Sequence, residues 1–173
     1  MTEVKKIMDT KLFHTDDNEI AEAGEILRNG GLVAFPTETV YGLGASAFDS
    51  DAAKKIYAAK GRPSDNPLIV HICDKGQIKD IAEEIPESAK KVIDNFMPGP
   101  VTIILKKKSV VPNDVTAGLN TVAIRFPLHE TAQKLIKAAG VPIAAPSANL
   151  SGKPSPTKAK HVVKDMTGRI DAI

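Results

Sequence analysis

The sequence predicts an α/β domain built on a mixed parallel and antiparallel sheet. Short, nearly continuous apolar runs, which are typical of buried strands, alternate with segments of helical periodicity. Several connections between the runs are too short for a helical crossover, so some neighbouring strands must be antiparallel. The chain has 173 residues, 42% hydrophobic and 25% charged, and is expected to form one domain over residues 1–173 with helices on at least one face of its sheet.

Five helices are predicted from apolar residues that recur three and four positions apart. Thr15 or Asp16 is expected to cap the first helix and Ser50 the second, because their side-chain oxygens can accept hydrogen bonds from free main-chain amides. Glycines at 30–31 and 140 are expected to end the first and fourth helices. The inward-facing residues, helix by helix, are Ile20, Ala23, Gly24 and Leu27; Ala53, Ile56 and Tyr57; Ala89, Val92, Ile93 and Phe96; Ala132, Leu135, Ile136 and Ala139; and Ala159, Val162, Val163 and Met166.

Five buried strands are predicted between these helices, at Leu32–Phe35, Leu68–Ile72, Val101–Leu105, Thr121–Phe126 and Val141–Ala144. A further apolar, strand-like run ends the chain at Gly168–Ile173. Because a natural C-terminus is usually polar and frayed, we expect the domain to be truncated at this end.

Composition excludes several classes of protein. The net charge of +2 does not call for a nucleic-acid or membrane partner, although a local basic patch remains possible. Cys73 is the single cysteine, so neither a disulfide framework nor a cysteine-based zinc site can form within the chain. No apolar run is long enough for a transmembrane helix, and the N-terminus lacks the apolar core of a signal peptide, so a cytoplasmic location is expected.

The loop after the first strand, Pro36–Gly44, is the first candidate site. Its glycines resemble a dinucleotide fingerprint but do not follow the strand directly, so we interpret them as a Gly-rich turn that allows close main-chain packing. Polar side chains crowd the same loop, at the end of a strand where open α/β sheets bind ligands. These side chains, which we predict to belong to a binding site, are Thr37, Glu38, Thr39 and Tyr41.

Two cations, Lys60 and Arg62, end the second helix. Such a position already suits positive charge, because it complements the helix dipole. The intervening glycine and the following Pro63 can also turn both side chains toward one place, where a lysine and an arginine would suit a polyphosphate. The sequence alone leaves both interpretations open.

A segment of small residues, Ala144–Asn149, follows the last predicted strand. It would let a ligand approach the main chain, and Ser147 and Asn149 offer a hydroxyl and an amide; a capping turn is the alternative. No P-loop motif is present, so any nucleotide must bind by other means.

The remaining polar residues give weaker indications. His14, His71, His129 and His161 lack the spacing of metal ligands, and only His71 lies inside an apolar strand near the candidate phosphate ligands. Cys73 has no evident His–Asp partners, so we discount a thiol nucleophile. Lys106–Lys108 could contact RNA or form a solvated strand end, and few aromatic residues are available to stack on bases.

Taken together, these segments resemble the YrdC/Sua5 family of L-threonylcarbamoyladenylate synthases. The resemblance runs from about Asn29 to Ile173, and its most specific part is the combination of Lys-x-Arg with Ser-x-Asn. The segments that carry it are Pro36–Gly44, Lys60–Pro63, Asn66–His71, Met97–Thr102, Thr116–Gly118, Thr121–Arg125 and Pro146–Asn149.

The resemblance implies an α/β fold around a twisted sheet with a concave basic face. It also implies a reaction in which ATP, L-threonine and bicarbonate give threonylcarbamoyl-AMP and pyrophosphate, the first step of the threonylcarbamoyl (t6A) modification of tRNA. A threonylcarbamoyl transferase complex acting on tRNA would consume the product. Long family members continue beyond the point that matches Ile173, into further ligands, a linker and a second domain.

The resemblance also implies roles for individual residues. Catalysis and phosphate binding would fall to Lys60, Arg62, Ser147 and Asn149, with Asn66, Thr121 and Ser155 also lining the ATP site. L-Threonine would be held by Thr37, Thr39, Tyr41, His71, Arg125 and the main chain around Ala145, with Arg125 facing the carboxylate. Magnesium would be bridged through the ATP phosphates near Ser147 and Asn149, with no site made from protein side chains alone.

Two alternatives compete with this interpretation. One is a double-stranded RNA or tRNA-binding module of the YrdC/YciO type without synthase activity. The other is the carbamoyl-transfer domain of hydrogenase maturation factors, whose zinc-finger and acylphosphatase-like sequences are not found in these 173 residues.

Overall fold

The computed structural model describes residues 8–173. Helices and strands alternate along the chain, as the sequence predicts. The elements are α1 (Asp17–Arg28), β1 (Val33–Phe35), β2 (Gly42–Ser46), α2 (Ser50–Lys60), β3 (Ile69–His71), a 3-10 turn (Lys75–Gln77), α3 (Ile78–Ile81), α4 (Glu87–Phe96), β4 (Thr102–Lys106), α5 (Asn113–Thr116), β5 (Thr121–Arg125), α6 (Glu130–Ala139), β6 (Ile143–Ala145) and α7 (Ala159–Met166).

The six strands form one mixed sheet in the order β1-β2-β6-β3-β5-β4. β3 and β5 run parallel, whereas the pairs β1/β2, β2/β6, β6/β3 and β5/β4 are antiparallel. The mixed sheet inferred from the short connections is therefore confirmed.

Helices cover one face of the sheet completely and the other face only in part. On the covered face, Val70, Ile124 and Ala144 are fully buried in a cluster that includes Ile56 of α2 and Ile93 of α4. On the opposite face, α1 and α6 bury the side chains of β1 and β6. The half of that face built from β3, β4 and β5 has no helix over it, and Ile104 of β4 is 69% exposed. We call this half the open face; its side chains are Ile69, Thr102, Ile104, Lys106, Thr121, Ala123 and Arg125, in register across the three strands.

The turn expected at Gly42-Leu-Gly44 is wrong, whereas the close main-chain packing expected of these glycines is confirmed. These residues form β2, which is buried along its whole length between β1 and β6. The reason is a close approach across the sheet: a Cβ atom on Gly44 would lie 2.8 Å from Cγ2 of Ile143 and 3.0 Å from Cε1 of Phe35. Glycine is required here for packing rather than for a bend.

Two smaller sequence expectations also need correction. Asp49, not Ser50, caps α2: its carboxylate accepts hydrogen bonds from the amides of Asp51 and Ala52 at 2.9 and 3.0 Å. Phe96, expected to face inward from α4, is 59% exposed. For α1, Asp16 rather than Thr15 provides the cap.

The apolar run at residues 168–173 pairs with the edge of β1, which confirms its strand-like character. Ala34 N–H donates to the Ala172 carbonyl at 3.0 Å, and the carboxylate of Asp171 accepts from Leu32 N–H at 2.7 Å. Residues 10–13 pair with the other side of the same segment, where Lys11 and Ala172 form a parallel bridge. Ile170 and Ala172 are fully buried.

None of the helices formed by residues 8–173 has the length and apolar character needed to cross a lipid bilayer.

Candidate active site

Arg125, the last residue of β5, lies at one end of the open face and binds the loop after β1. Its Nη2 donates to Oε1 of Glu38 at 2.7 Å and to Oγ1 of Thr39 at 3.1 Å. The Arg125 side chain is only 12% exposed, and its Nε is buried without a hydrogen-bond partner. Burial raises the pKa of Glu38, but the pKa is lowered overall by the hydrogen bond from Arg125, by main-chain hydrogen bonds from Glu38 and Leu128, and by the charge of Arg125. The guanidinium thus already binds one carboxylate, that of Glu38, and keeps one buried donor unpaired among residues 8–173.

The loop that carries Thr39 is held in place at its base and by an internal turn. Oγ1 of Thr37 donates to the Val40 carbonyl at 2.6 Å and lies 3.1 Å from Oγ1 of Thr39. Tyr41 N–H donates to the Pro156 carbonyl, and the Tyr41 carbonyl accepts from Ala148 N–H, both at 2.8 Å. The loop is therefore fixed at its end while its tip projects toward Arg125.

His71 lies beside Arg125, because the two residues are paired across the parallel strands β3 and β5. The side chain is buried, with its ring edge-on to Phe35 at a centroid distance of 6.0 Å. Burial and the charge of Arg125 lower the pKa of His71 to about 4, so the ring is neutral near pH 7. Nδ1 lies 3.0 Å from the Ile69 carbonyl oxygen, which can only accept, so this nitrogen carries the proton.

Lys60, at the end of α2, connects that helix to the segment after β6. Its ammonium donates to the carbonyls of Ser147 and Asn149, the latter at 2.8 Å. The residue is 3% exposed. Burial, together with the charge of Arg62, lowers the pKa of Lys60 to about 8. The lysine at this helix end thus points toward Ser147 and Asn149 rather than into solvent.

The side chain of Asn149 is buried, and only one of its two polar atoms has a hydrogen-bond partner within residues 8–173. Its Nδ2 donates to the carbonyls of Leu150 and Lys153 at 2.9 and 2.7 Å, whereas Oδ1 is buried with no partner. Ser147 extends the β6 ladder by a bridge to Gly42. An unpaired buried oxygen next to a lysine is the kind of group that accepts from a ligand or contacts a cation.

Arg62 lies on the outer side of the same helix end. Its Nη2 donates to the Asn66 carbonyl at 3.2 Å, and its guanidinium carbon lies 6.0 Å from the centre of the Tyr57 ring. The Tyr57 hydroxyl is itself 3.1 Å from the same carbonyl of Asn66. These contacts hold Arg62 close to Lys60, and the positive charge of Arg62 lowers the pKa of Lys60.

The other predicted site residues are spread around these two groups. Thr121 lies on the open face opposite Lys106, and Ala145 pairs with Ile69 of β3. Ser155 is exposed on the loop before α7. The side chain of Tyr41 is partly buried and packs against the core, and its contact with threonine stays a prediction.

Glu38 is the site residue that the sequence-based list of ligands omits. It stands out in the sequence only as one of several polar residues in a short loop. Its partner Arg125 is 87 positions away, and nothing in the local sequence shows that the two side chains meet.

The lysine run at 106–108 is engaged in contacts with the protein. Lys106 pairs with Glu83 at 2.8 Å, and Lys107 and Lys108 donate to the main-chain carbonyls of Val111 and Lys79. This arrangement agrees with the alternative in which the lysine run forms a solvated strand end. Residues 8–173 contain no group of three or more His, Cys, Asp or Glu side chains placed to hold a metal ion.

Comparison with known proteins gives consistent results. Residues 25–173 match the Sua5/YciO/YrdC family model, which is described as telomere recombination. The chain is 60% identical over 165 residues to the threonylcarbamoyl-AMP synthase of Bacillus subtilis, covering 95% of this chain and 48% of that protein. It is 57% identical over 155 residues to the enzyme of the same name from Pyrococcus abyssi, covering 90% and 46%.

Solved structures show the same relationship. The crystal structure of P. abyssi Sua5 complexed with L-threonine superposes with a TM-score of 0.90 at 53% identity, covering 96% of this chain and 49% of that one. The chain therefore spans about half the length of the relatives that it matches.

Proposed function

Because the chain belongs to the Sua5/YciO/YrdC family, we propose that it performs the threonylcarbamoyl-AMP synthase reaction. In this reaction L-threonine, bicarbonate and ATP give threonylcarbamoyl-AMP and pyrophosphate. The observation that supports the proposal most strongly is that the loop carrying Thr39 is hydrogen-bonded, from Ala148 N–H to the Tyr41 carbonyl, to the segment after β6 that receives Lys60. Arg125, Thr39 and their neighbours suit an amino acid, and Lys60 with Ser147 and Asn149 suits a polyphosphate.

The amino-acid half of the site would be the end of the open face near the loop tip. Arg125 would bind the threonine carboxylate through its donors, and the hydroxyl of Thr39 already lies within hydrogen-bond distance of the same guanidinium. His71 is neutral, so it adds no second positive charge beside Arg125. Its unprotonated Nε2 could accept from a hydroxyl or an amine.

The nucleotide half would be the junction of α2 with the segment after β6. Lys60 and Arg62 would bind phosphate oxygens, and Ser147 and Asn149 would supply a hydroxyl and an amide. Asn66, Thr121 and Ser155 would complete this half. The unpaired Oδ1 of Asn149 fits Mg²⁺, which prefers oxygen ligands. Magnesium, when bound with ATP, would neutralise phosphate charge.

The chemistry requires alignment and charge neutralisation rather than a protein nucleophile. Threonine's amine forms a C–N bond to the carbon of bicarbonate, and a water molecule leaves, which gives a carbamate whose oxygen is already anionic. That oxygen forms a bond to the α-phosphorus of ATP, and the bond from this phosphorus to the β-phosphate bridging oxygen breaks, releasing pyrophosphate. Cationic side chains such as Lys60 and Arg62 lower the repulsion between the two anions and stabilise the leaving group.

The product is a reactive mixed anhydride, so a transferase must consume it. We include in the proposal that this acceptor step is the threonylcarbamoylation of tRNA adenosine, as the resemblance to the YrdC/Sua5 family implies. The lysine run at 106–108, one of the features that could contact RNA, is hydrogen-bonded to the protein.

Pyrophosphate release from Mg-ATP, with threonine and bicarbonate omitted in turn, tests the proposal directly. Release should require both co-substrates. Lys60→Met and Arg62→Ala should each lower turnover by roughly two orders of magnitude or more, as expected when a charged group acts on the transferring phosphoryl group.

Lys90→Ala is the matched control for these variants, because Lys90 is an exposed lysine on α4. Melting curves would show whether Lys60→Met, which removes a buried residue, still folds. Wild-type rates in a folded Arg62→Ala variant, or release that ignores threonine, would refute the assignment.

A further inference from the structure

Glu38 occupies the position on Arg125 where a substrate carboxylate would bind. The Glu38 carboxylate accepts from Nη2 of Arg125 at 2.7 Å, and the pair is shielded, with side-chain exposures of 20% and 12%. A glutamate carboxylate and the carboxylate of an amino acid are the same chemical group. Two of them on one Nη2 would repel each other, so one must leave before the other binds.

The hydrogen bonds of Arg125 show why the exchange can favour the substrate. In the free chain, Glu38 and Thr39 both use Nη2, and the buried Nε has no acceptor. A carboxylate that approaches the edge of the guanidinium can accept from Nε and Nη2 together. It would therefore satisfy a buried donor that Glu38 leaves unpaired, and an unpaired buried donor is costly.

The loop can release Glu38 without losing its own anchors. Glu38 and Thr39 form the exposed tip, whereas the hydrogen bonds of Tyr41 to Pro156 and Ala148 fix the end of the loop. Oγ1 of Thr37 bonds to Val40 within the loop. None of these contacts includes the Glu38 carboxylate, so its departure leaves them intact.

We propose that Glu38 is an internal competitor for Arg125, which holds the carboxylate site closed in the free chain and is displaced by the carboxylate of the amino-acid substrate. This inference rests on the proposed function, which places that substrate at Arg125. Glu38 thereby sets the affinity for threonine, because every binding event must first break the Glu38–Arg125 ion pair.

Calorimetric titration of the 173-residue chain with L-threonine tests the inference. Glu38→Gln keeps the size of the side chain but removes its charge, so the dissociation constant for L-threonine should fall by about fivefold, the scale of a partly exposed ion pair. Glu87→Gln, in an exposed pair with Lys90 on α4, is the matched control and should leave the constant unchanged. L-Threoninamide, which lacks the carboxylate, should gain nothing from Glu38→Gln.

The outcomes separate the inference from the function on which it rests. Arg125→Ala should abolish threonine binding if the site is correctly placed. If Arg125→Ala abolishes binding while Glu38→Gln leaves threonine affinity unchanged or weakens it, the competitor role is wrong and the function stands. If the wild-type chain binds no threonine, the proposed site and the competitor role both fail.

Discussion

Lys60 shows how one side chain can serve both the fold and the proposed site. Its ammonium is enclosed, and two of its three protons are donated to the carbonyls of Ser147 and Asn149. These carbonyls replace the water that a buried charge loses. One N–H remains for a phosphate oxygen, so a nucleotide would complete the coordination of a lysine that is already in place.

The lowered pKa of Lys60 predicts how nucleotide binding depends on pH. At one pH unit above its pKa of about 8, only about a tenth of the lysine carries a proton in the free chain. The affinity for Mg-ATP should therefore fall about tenfold between pH 7 and pH 9, measured by calorimetry in matched buffers. Lys60→Met should bind weakly at both pH values and lose this dependence. An equal fall in Lys60→Met would assign the effect to another group.

The lowered pKa of Lys60 has the opposite effect on the stability of the fold. A weaker affinity for Mg-ATP at high pH can therefore be distinguished from unfolding. Between about pH 8 and the ordinary lysine value of 10.5, the unfolded chain binds the proton that native Lys60 has lost. The free energy of unfolding therefore rises with pH in this range, as far as Lys60 contributes. A loss of binding at pH 9 would then occur without a loss of fold from this residue.

Among the elements, α2 depends on its cap because it carries Lys60 at its far end. Asp49→Ala removes the acceptor for two amides and should lower the free energy of unfolding by about 1 kcal/mol, or the melting temperature by ~2–4 °C. Ser50→Ala leaves those hydrogen bonds intact and loses only the contact of its hydroxyl with Asp114. A larger effect of Ser50→Ala would restore Ser50 as the functional cap.

The elements that the sequence predicts well are those with a clear apolar period and a clear end. Helix α6 buries the four predicted residues Ala132, Leu135, Ile136 and Ala139 and ends at Gly140. Strand β2 was missed because its glycines are typical of turns, and their reason lies in Phe35 and Ile143 on neighbouring strands. The four-residue helices α3 and α5 are too short to show a period.

The sequence predicts which loops and strand ends form the candidate site, but not which side chains contact one another there. The polar loop and the segments that contain Lys60 and Asn149 are recognisable in the sequence as local clusters. That His71 lies beside Arg125 follows from the strand register, which depends on how the whole sheet packs. The contact of Glu38 with Arg125 is equally non-local, so sequence patterns could not reveal it.

At the scale of the whole molecule, the two ends of the described chain meet at one strand. Residues 10–13 and 170–173 pair with each other, and the latter also pair with the edge of β1. Removing residues 169–173 should lower the free energy of unfolding by several kcal/mol, because burial of a side chain such as Ile170 alone is worth about 2–5 kcal/mol.

Urea unfolding of the shortened chain would measure this loss. Arg169→Ala is the control, since its side chain makes only a long contact of 3.5 Å to the Ala59 carbonyl within residues 8–173. A shortened chain as stable as the control would mean that β1 does not need its covering segment.

The pairing of Lys11 with Ala172 also has a consequence for biosynthesis. The ribosome makes β1 some 140 residues before its edge partner, so the nascent chain carries an uncovered strand edge while those residues are made. Uncovered edges are where partly folded chains associate with one another. Completion of this sheet must therefore wait until residues 170–173 have left the exit tunnel, and chaperones that shield the nascent chain would act mainly before that moment.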